Sequence, residues 1–369
     1  MKIAIVNTLA VPSGNASVNR FLGYGKELVR LGADVSILTS ARCEDCEIDG
    51  IKVVSCGKGT SMFGALKSIT KTIRKGGYDS AILISNSLLL IYPLWFACKR
   101  GKVKLIQEKS EFPFVLMKRG FLNRLYAKFY VNTTYKLFDG LIVMTKPLME
   151  YFKDKVRKDC QLFEMPMTVD IERFLNAEST PNTLGDYIAF CGGLSNTNGI
   201  DNLIESFSLV EPQIPTLKLV IIGGAPNEIV MNGYQELVSG LGLKNVVFYG
   251  KVGREEIPGL LNNAKALLLA RRSNLQASGG FPTKLGEYLA TGNPVVVTAV
   301  GDIPLYLNTA NSFIVKPDDN KAFAQQILEV FADYDRAETI GKEGQKLAIT
   351  VFNARVQSER LNSFLHSLI

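Results

Sequence analysis

The run "GGFPTKLGEYLATGNPVVVT" (Gly279–Thr298) sets a lysine and a glutamate, Lys284 and Glu287, three residues apart just inside what should be a helix. Gly279 and Gly280 let the backbone turn tightly ahead of it, and Pro282 suits a first helical turn, where no donor is needed. Gly292 and Pro294 stop the helix. Leu285, Tyr288 and Leu289 make its buried stripe, so Lys284 and Glu287 share another face. A helix N-terminus carries free amides and a partial positive charge, and so attracts anions. Lys284 would add a full charge there, and Glu287 lies roughly 5 Å further along the axis. A diphosphate at the tip and a ribose beside the helix would use both groups, the lysine and amides on phosphate and the carboxylate on vicinal hydroxyls. The alternative is a surface ion pair on a capped helix.

The elements that must position this pair alternate strand and helix throughout. Strands are expected at Ile3–Asn7, Asp34–Thr39, Ile51–Val54, Ser80–Ile84, Lys104–Gln107, Gly140–Met144 and Cys160–Glu164. Most are short apolar runs without period-two alternation, the pattern of parallel strands covered on both faces. After a linker-like stretch, "NAESTPNTLGD" (Asn176–Asp186), the cycle restarts. Strands are then expected at Tyr187–Cys191, Leu217–Ile222, Asn245–Tyr249, Ala266–Leu269, Pro294–Thr298 and Ser312–Val315, with helices at 201–210, 227–240, 254–263 and 283–290. The fold class is α/β: two Rossmann-like βαβ domains, 1–178 and 179–352, facing a central cleft, with a helix at about 353–369 packing back on the first. Ligands of open α/β sheets bind beyond the carboxyl ends of the strands, so the cleft is the expected site.

The 369 residues are 47% hydrophobic, enough for two cores and too much for disorder. The stretch Ser80–Cys98 is apolar but divides into a strand and a helix, each too short to span a membrane. Lys2–Thr8 reads as a first buried strand rather than a signal peptide, so a cytosolic chain is expected. Cys43 and Cys46 form a lone "CEDC" in a polar loop, and the sole histidine is His366; reduced thiols are expected rather than a metal site. Charge is uneven: residues 1–178 carry a net +10 and residues 179–369 a net −3. Ten basic residues fall between Lys99 and Lys136, against Glu108 and Glu111 only. That asymmetry suits an anionic partner or a solvated basic face. No recognition motif supports nucleic acid.

The segment "GGFPTKLGEYLATGNPVVVT" resembles the donor-binding segment of retaining glycosyltransferases of family four, which have the GT-B fold. "VPSGNASVNRF" (Val11–Phe21), "MPMTVDIERF" (Met165–Phe174), "FCGGLSNTNGIDNLIESF" (Phe190–Phe207), "LKLVIIGG", "VVFYGKV" and "VGDIPLYL" are similar to that family's other segments, in its order. The resemblance covers nearly the whole chain and implies a transfer of sugar from a nucleotide-diphosphate sugar to an acceptor hydroxyl, with retention. No carboxylate cluster of metal-binding type, such as a DxD, lies beside this donor loop, so no essential metal or other cofactor is expected. The resemblance also implies Glu287 on the ribose, Lys284 on the donor phosphates, and Arg271 facing the same cleft. Gly192, Gly193, Gly280, Phe281, Pro282 and Thr283 fall within the matched donor segments, and Gly14 and Asn15 within the loop that would approach the diphosphate from the first domain.

Departures from the pattern shape the rest. Gly279 stands where many members place a glutamate for the transferred sugar, and Gly193 and Asn198 where many have an arginine and a lysine. Phosphate charge then falls to Lys284, Arg271 or Arg272. His366 cannot be the first-domain histidine many members use, so Glu111 or Glu108 in "QEKSEFPF" is the candidate for that role. The run "KRGFLNRLYAKFYVNTTYKLFDG" (Lys118–Gly140) has an apolar stripe of Phe121, Leu122, Leu125, Tyr126 and Phe129 flanked by Lys118, Arg119, Arg124 and Lys128. It suits either an anionic membrane surface or packing on the sheet. The expected partners are a nucleotide sugar and a glycan or lipid-linked acceptor, in cell-surface polysaccharide or glycolipid synthesis, with the chain peripheral on the inner face of the membrane. The other readings are a non-catalytic subunit that binds nucleotide sugar, and a nucleotide-sugar epimerase.

Overall fold

The computed structural model describes residues 1–13, 15–113, 121–177 and 181–369, apart from the side chains of Phe121, Leu122 and Gln276. The chain divides into two compact units, Met1–Thr168 with Ala354–Ile369, and Val169–Asn353.

Unit 1 holds β1 (Lys2–Asn7), β2 (Asp34–Thr39), β3 (Cys46–Ile48), β4 (Ile51–Ser55), β5 (Ser80–Ile84), β6 (Lys104–Lys109), β7 (Gly140–Val143) and β8 (Gln161–Glu164). They form one sheet in the order β3-β4-β2-β1-β5-β6-β7-β8, parallel except for β3. Ile3, Ile5, Val35, Ile37, Ile82, Ile106 and Ile142 join one core with Phe21 and Leu28 of the helix Ala16–Arg30 and Leu361 and Leu365 of the helix Ala354–Leu368. That last helix seats closely because Gly140 has no side chain: a Cβ there would stand 2.9 Å from Phe364 Cζ and 3.0 Å from Leu368 Cδ1. The Phe364 ring stacks on Phe163 at 4.8 Å.

The strand alternation misses β3. Cys46, expected in a loop, opens an antiparallel edge strand joined to β4 through Asp49 and Gly50, both with positive φ. An Asp-Gly pair is the sequence signal for that two-residue hairpin turn, so the strand was legible there. Cys43 and Cys46 are free thiols.

Unit 2 holds β9 (Tyr187–Cys191), β10 (Lys218–Ile222), β11 (Val246–Gly250), β12 (Ala266–Leu269), β13 (Val295–Thr298) and β14 (Phe313–Val315), ordered β11-β10-β9-β12-β13-β14 and parallel throughout. Counted within the unit this is the 3-2-1-4-5-6 order of dinucleotide-binding sheets. The helix expected over 254–263 runs only from Ile257 to Asn262, because Pro258 suits a first turn and not an interior. A short helix, Leu275–Gly279, occupies what the glycine pair suggested was only a tight turn, and neither Gly279 nor Gly280 takes a positive φ. Among the described residues no helix is long and apolar enough to cross a membrane.

Truncating Phe364 to alanine removes the stack on Phe163 and leaves a void over β7. The expected loss is about 3 kcal/mol of stability, read as a lower midpoint in urea at unchanged slope; an unchanged midpoint would show that the helix Ala354–Leu368 adds little to unit 1.

Candidate donor site at the switch point of unit 2

In unit 2 the chain passes from β9 to β10 on one side and returns to β12 on the other, which makes β9/β12 the switch point of the sheet. The two strands pair only through Ala266 and Leu267, opposite Ile188 and Ala189, and then part. Beyond the parting, the Tyr288 hydroxyl takes over the lost ladder bonds. It accepts from the Cys191 amide at 2.7 Å and donates to the Cys191 carbonyl at 3.2 Å. Tyr288 belongs to the helix Thr283–Thr291, so this hydroxyl fixes the helix against the end of β9.

That helix brings the expected pair to the crevice. Pro282 is its N-cap, one position before the expected first turn, and no side chain caps the N-terminus. At the other end Gly292 closes it in the left-handed conformation, φ 77°. The Lys284 ammonium lies 4.4 Å from the centre of the Phe190 ring and beside Gly192, whose φ is 148°. That backbone conformation favours glycine, and a Cβ at Gly192 would stand 2.5 Å from Lys284 Nζ and push the ammonium aside.

Arg271, which follows β12, is only 7% exposed. Burial, and then the charge of Arg271, push the Lys284 amine down to about 7. Arg271 thus acts on a lysine that sits in the first turn of a helix no side chain caps, an arrangement that favours an anion.

Glu287 lies one turn further and is not simply a partner for Lys284. Its carboxylate stands 3.5 Å from Arg173 Nη1, and its side chain is 28% exposed. Burial raises the carboxyl above its ordinary range, and Arg173, Arg254 and Lys284 pull it back, in that order. Arg173 is the residue that motif reading missed. It comes from the short helix Glu172–Leu175 and also donates to the Arg254 carbonyl at 2.7 Å, so it ties three segments to the ribose candidate. Its signal is in "MPMTVDIERF", of which it is the one basic residue.

The remaining candidates divide. Gly193 accepts a 2.7 Å bond at its carbonyl from Asn198 Nδ2, which fixes the loop where charge was expected. Phe281 is buried against Tyr306 at 5.7 Å and Phe352 at 5.6 Å, so its ring is core and only its backbone is left for a ligand. Gly280 and Thr283 flank the helix start, and Pro282 has no amide to give. Arg272 is paired with Asp201.

Unit 1 has a switch point of its own, between β1 and β5. A cavity of about 310 Å³ opens at the carboxyl ends there, lined by Ser17, Asn86, Lys109 and Glu111 among others. Glu108 also lines it but is committed. It pairs with Arg20 and accepts from Tyr24 Oη at 2.9 Å, while Arg20 donates to the carbonyls of Pro166 at 2.7 Å and Met165 at 2.8 Å. Of the two glutamates in "QEKSEFPF", Glu108 is therefore structural and Glu111 keeps the candidacy. Lys109, 3% exposed and bonded to Asn86 Oδ1, is held down to about 7 by burial, with Glu111 opposing. Asn15 spends its side-chain oxygen capping the helix Ala16–Arg30 through the Ser17 amide at 2.9 Å. Gly14, Lys118 and Arg119 lie outside the described residues. His366 sits in the last turn of the C-terminal helix.

Two parallel sheets, one in dinucleotide-binding order with an anion-favouring crevice at its switch point, define a two-domain α/β protein of the GT-B type. Residues 172–347 match the family described as Glycosyl transferases group 1. The capsular polysaccharide biosynthesis glycosyltransferase CapM of Staphylococcus aureus is 28% identical over 185 residues, 49% of this chain and 46% of that protein. The chain spans less than half the length of each curated relative it matches. Among solved structures, sucrose-phosphate synthase from Thermosynechococcus elongatus superposes with a TM-score of 0.78 at 18% identity, covering 100% of this chain and 99% of that one. Alr3699/HepE of Anabaena, in complex with UDP-glucose, gives 0.75 at 16% identity over 100% of both chains.

The cations beside the crevice cost stability in the free protein. Lys284 has its pKa lowered from 10.5 to about 7 on folding, so its penalty is complete below pH 7 and fades as pH rises toward 10.5. Lys284→Met is expected to raise the stability of the free chain by about 1 kcal/mol near pH 6, with the gain shrinking at alkaline pH. Thermal unfolding of both proteins across that range checks it; a loss of stability at pH 6 would refute the reading.

Proposed function

We propose that this chain is a glycosyltransferase that moves a sugar from a nucleotide-diphosphate sugar to an acceptor hydroxyl, with retention of configuration and without an essential metal. The observation that carries the reading is the crevice of unit 2, where Lys284, Arg271 and an uncapped helix N-terminus meet, with Glu287 one turn beyond. A departing diphosphate gathers charge, and preorganised cations and amides lower the barrier by stabilising it. Glu287, kept toward its ionised form by Arg173, accepts the two ribose hydroxyls. The likeness to HepE, whose structure holds UDP-glucose, favours a uridine diphosphate sugar as the first donor to try.

The first domain, taken as 1–178, supplies the acceptor side and the second, 179–352, the donor side. Glu111, in the cavity of unit 1, is the carboxylate offered for proton transfer at the acceptor hydroxyl. Likeness to CapM favours an acceptor glycan of a cell-surface polysaccharide, free or lipid-linked. The basic residues from Lys99 to Lys136 then hold the enzyme on the inner, anionic face of the membrane. Gly279 in the usual place of a sugar-binding glutamate favours one other reading, a subunit that binds nucleotide sugar without turning it over.

Titration with UDP and UDP-glucose, followed by thermal shift and calorimetry, tests the donor site. Saturable stabilisation is expected, and Glu287→Ala should weaken it about tenfold to a hundredfold, the worth of a bond to a charged group. Affinity should fall as pH rises through about 7, because Lys284 must carry a proton to meet phosphate, and Lys284→Met should abolish that dependence. If no nucleoside diphosphate stabilises the chain at millimolar concentration, the donor site is wrong. Tight donor binding with no transfer or hydrolysis on any acceptor would select the non-catalytic subunit.

Arg173→Met offers a separate check on Glu287. Loss of the nearest cation lets its carboxyl rise further, so nucleotide affinity should decline at a higher pH on the acid side than in the unaltered chain. Arg173→Lys should restore most of the difference. An unmoved acid limb would reduce Arg173 to a structural tie.

A further inference from the structure

The amino edge of the unit 1 sheet carries a second cavity, of about 320 Å³. It opens between the end of the helix Leu88–Gly101, the start of β6 and the approach to β7. Open α/β sheets place their substrates at the other edge, so transfer chemistry gives no reason for it. Its rim is formed by Lys99, Lys102, Lys104, Lys136 and Arg157. The one acid there, Asp139, is already committed: it accepts from the Leu105 amide and from Arg157 Nη2, both at 2.9 Å. Among the described residues none of the four lysines has an ion-pair partner.

Part of this charge has a local explanation. Lys99 lies in the last turn of its helix, facing the negative end of the dipole, and stacks on Trp95 at 5.2 Å. Lys102, at the end of the same helix, and Lys136, in the last turn of the short 3-10 helix Thr134–Leu137, share that reason in part; Lys104 has none, and no helix end explains why all four meet at one hollow. Lys102 caps the helix in the left-handed conformation, φ 56°, at a place glycine usually fills. Four ammonium groups around one hollow repel each other, and a multivalent anion would relieve that repulsion.

We propose that this cavity is an anion site for a phosphate or diphosphate group, separate from the crevice of unit 2. Its volume is at the small end of ligand pockets and suits a phosphorylated headgroup rather than a whole nucleotide. The group is either that of an anionic lipid or a free phosphoanion. Phe96, half exposed on the same helix with the Arg100 guanidinium 4.1 Å above its ring, would touch the lipid boundary in the first case. The inference deepens the proposed membrane partner and does not depend on the transfer reaction.

Trp95 lines the cavity and is the only tryptophan in the chain, so its emission reports on this site. The full chain is titrated at low salt with sodium pyrophosphate, with vesicles of phosphatidylcholine, and with vesicles made anionic by phosphatidylglycerol. A saturable change in emission is expected with pyrophosphate, with anionic vesicles, or with both. The triple variant Lys102→Gln, Lys104→Gln, Lys136→Gln should weaken it about a hundredfold, and the matching triple arginine variant should keep it. A response to anionic vesicles alone identifies a lipid headgroup, and one to pyrophosphate alone a free phosphoanion. No saturable change with either, or an unchanged response in the glutamine variant, overturns the proposal. Pyrophosphate held only beside Lys284 would leave the glutamine variant unaffected, and so counts against it.

Discussion

Two positive charges held side by side, Lys284 and Arg271, set the terms for unit 2. Burial of the ammonium, and then the charge of Arg271, push the lysine amine down to about 7, so the pair is unfavourable by itself. The surrounding structure has to hold them there. The parted strands β9 and β12 make the space, the Tyr288 hydroxyl satisfies the backbone groups this exposes, and Gly192 leaves room for the ammonium. Each element stabilises a geometry that the charges alone would disperse.

The same logic governs Glu287. Burial raises its carboxyl above the ordinary range, and cations led by Arg173 pull it back toward the charged form. Arg173 in turn is fixed by the Arg254 carbonyl. The donor candidate is thus a network of several cations around one carboxylate, in which helix position, side-chain reach and ionisation are interdependent. Unit 1 contains a simpler counterpart: one buried amine, Lys109, against one carboxylate, Glu111, with Glu108 removed from play by Arg20 and Tyr24.

Both units rest on parallel sheets whose strands are short apolar runs covered on both faces. That is why the strand positions could be approached from hydrophobic pattern: most interior strands are marked by Val, Ile and Leu without alternation, β4 being an exception that buries every second residue. The edge strand β3 escaped because an exposed antiparallel edge lacks that mark, and its sign was the Asp-Gly turn instead. The short helix Leu275–Gly279 escaped because glycine pairs permit a turn without requiring one.

The sequence by itself determined the two α/β halves, the helix that carries Lys284 and Glu287, and the clustering of basic residues before Lys136. These follow from local pattern: periodicity, caps and charge are properties of neighbours in the chain. Only the tertiary structure decided which charged groups face each other. Arg173 reaches Glu287 across more than a hundred residues, Arg272 turns to Asp201, Glu108 is absorbed by Arg20, and Phe281 goes to the core. Ionisation depends on burial and on partners brought together by folding, so the roles of these residues are fixed by contacts that no local spacing encodes.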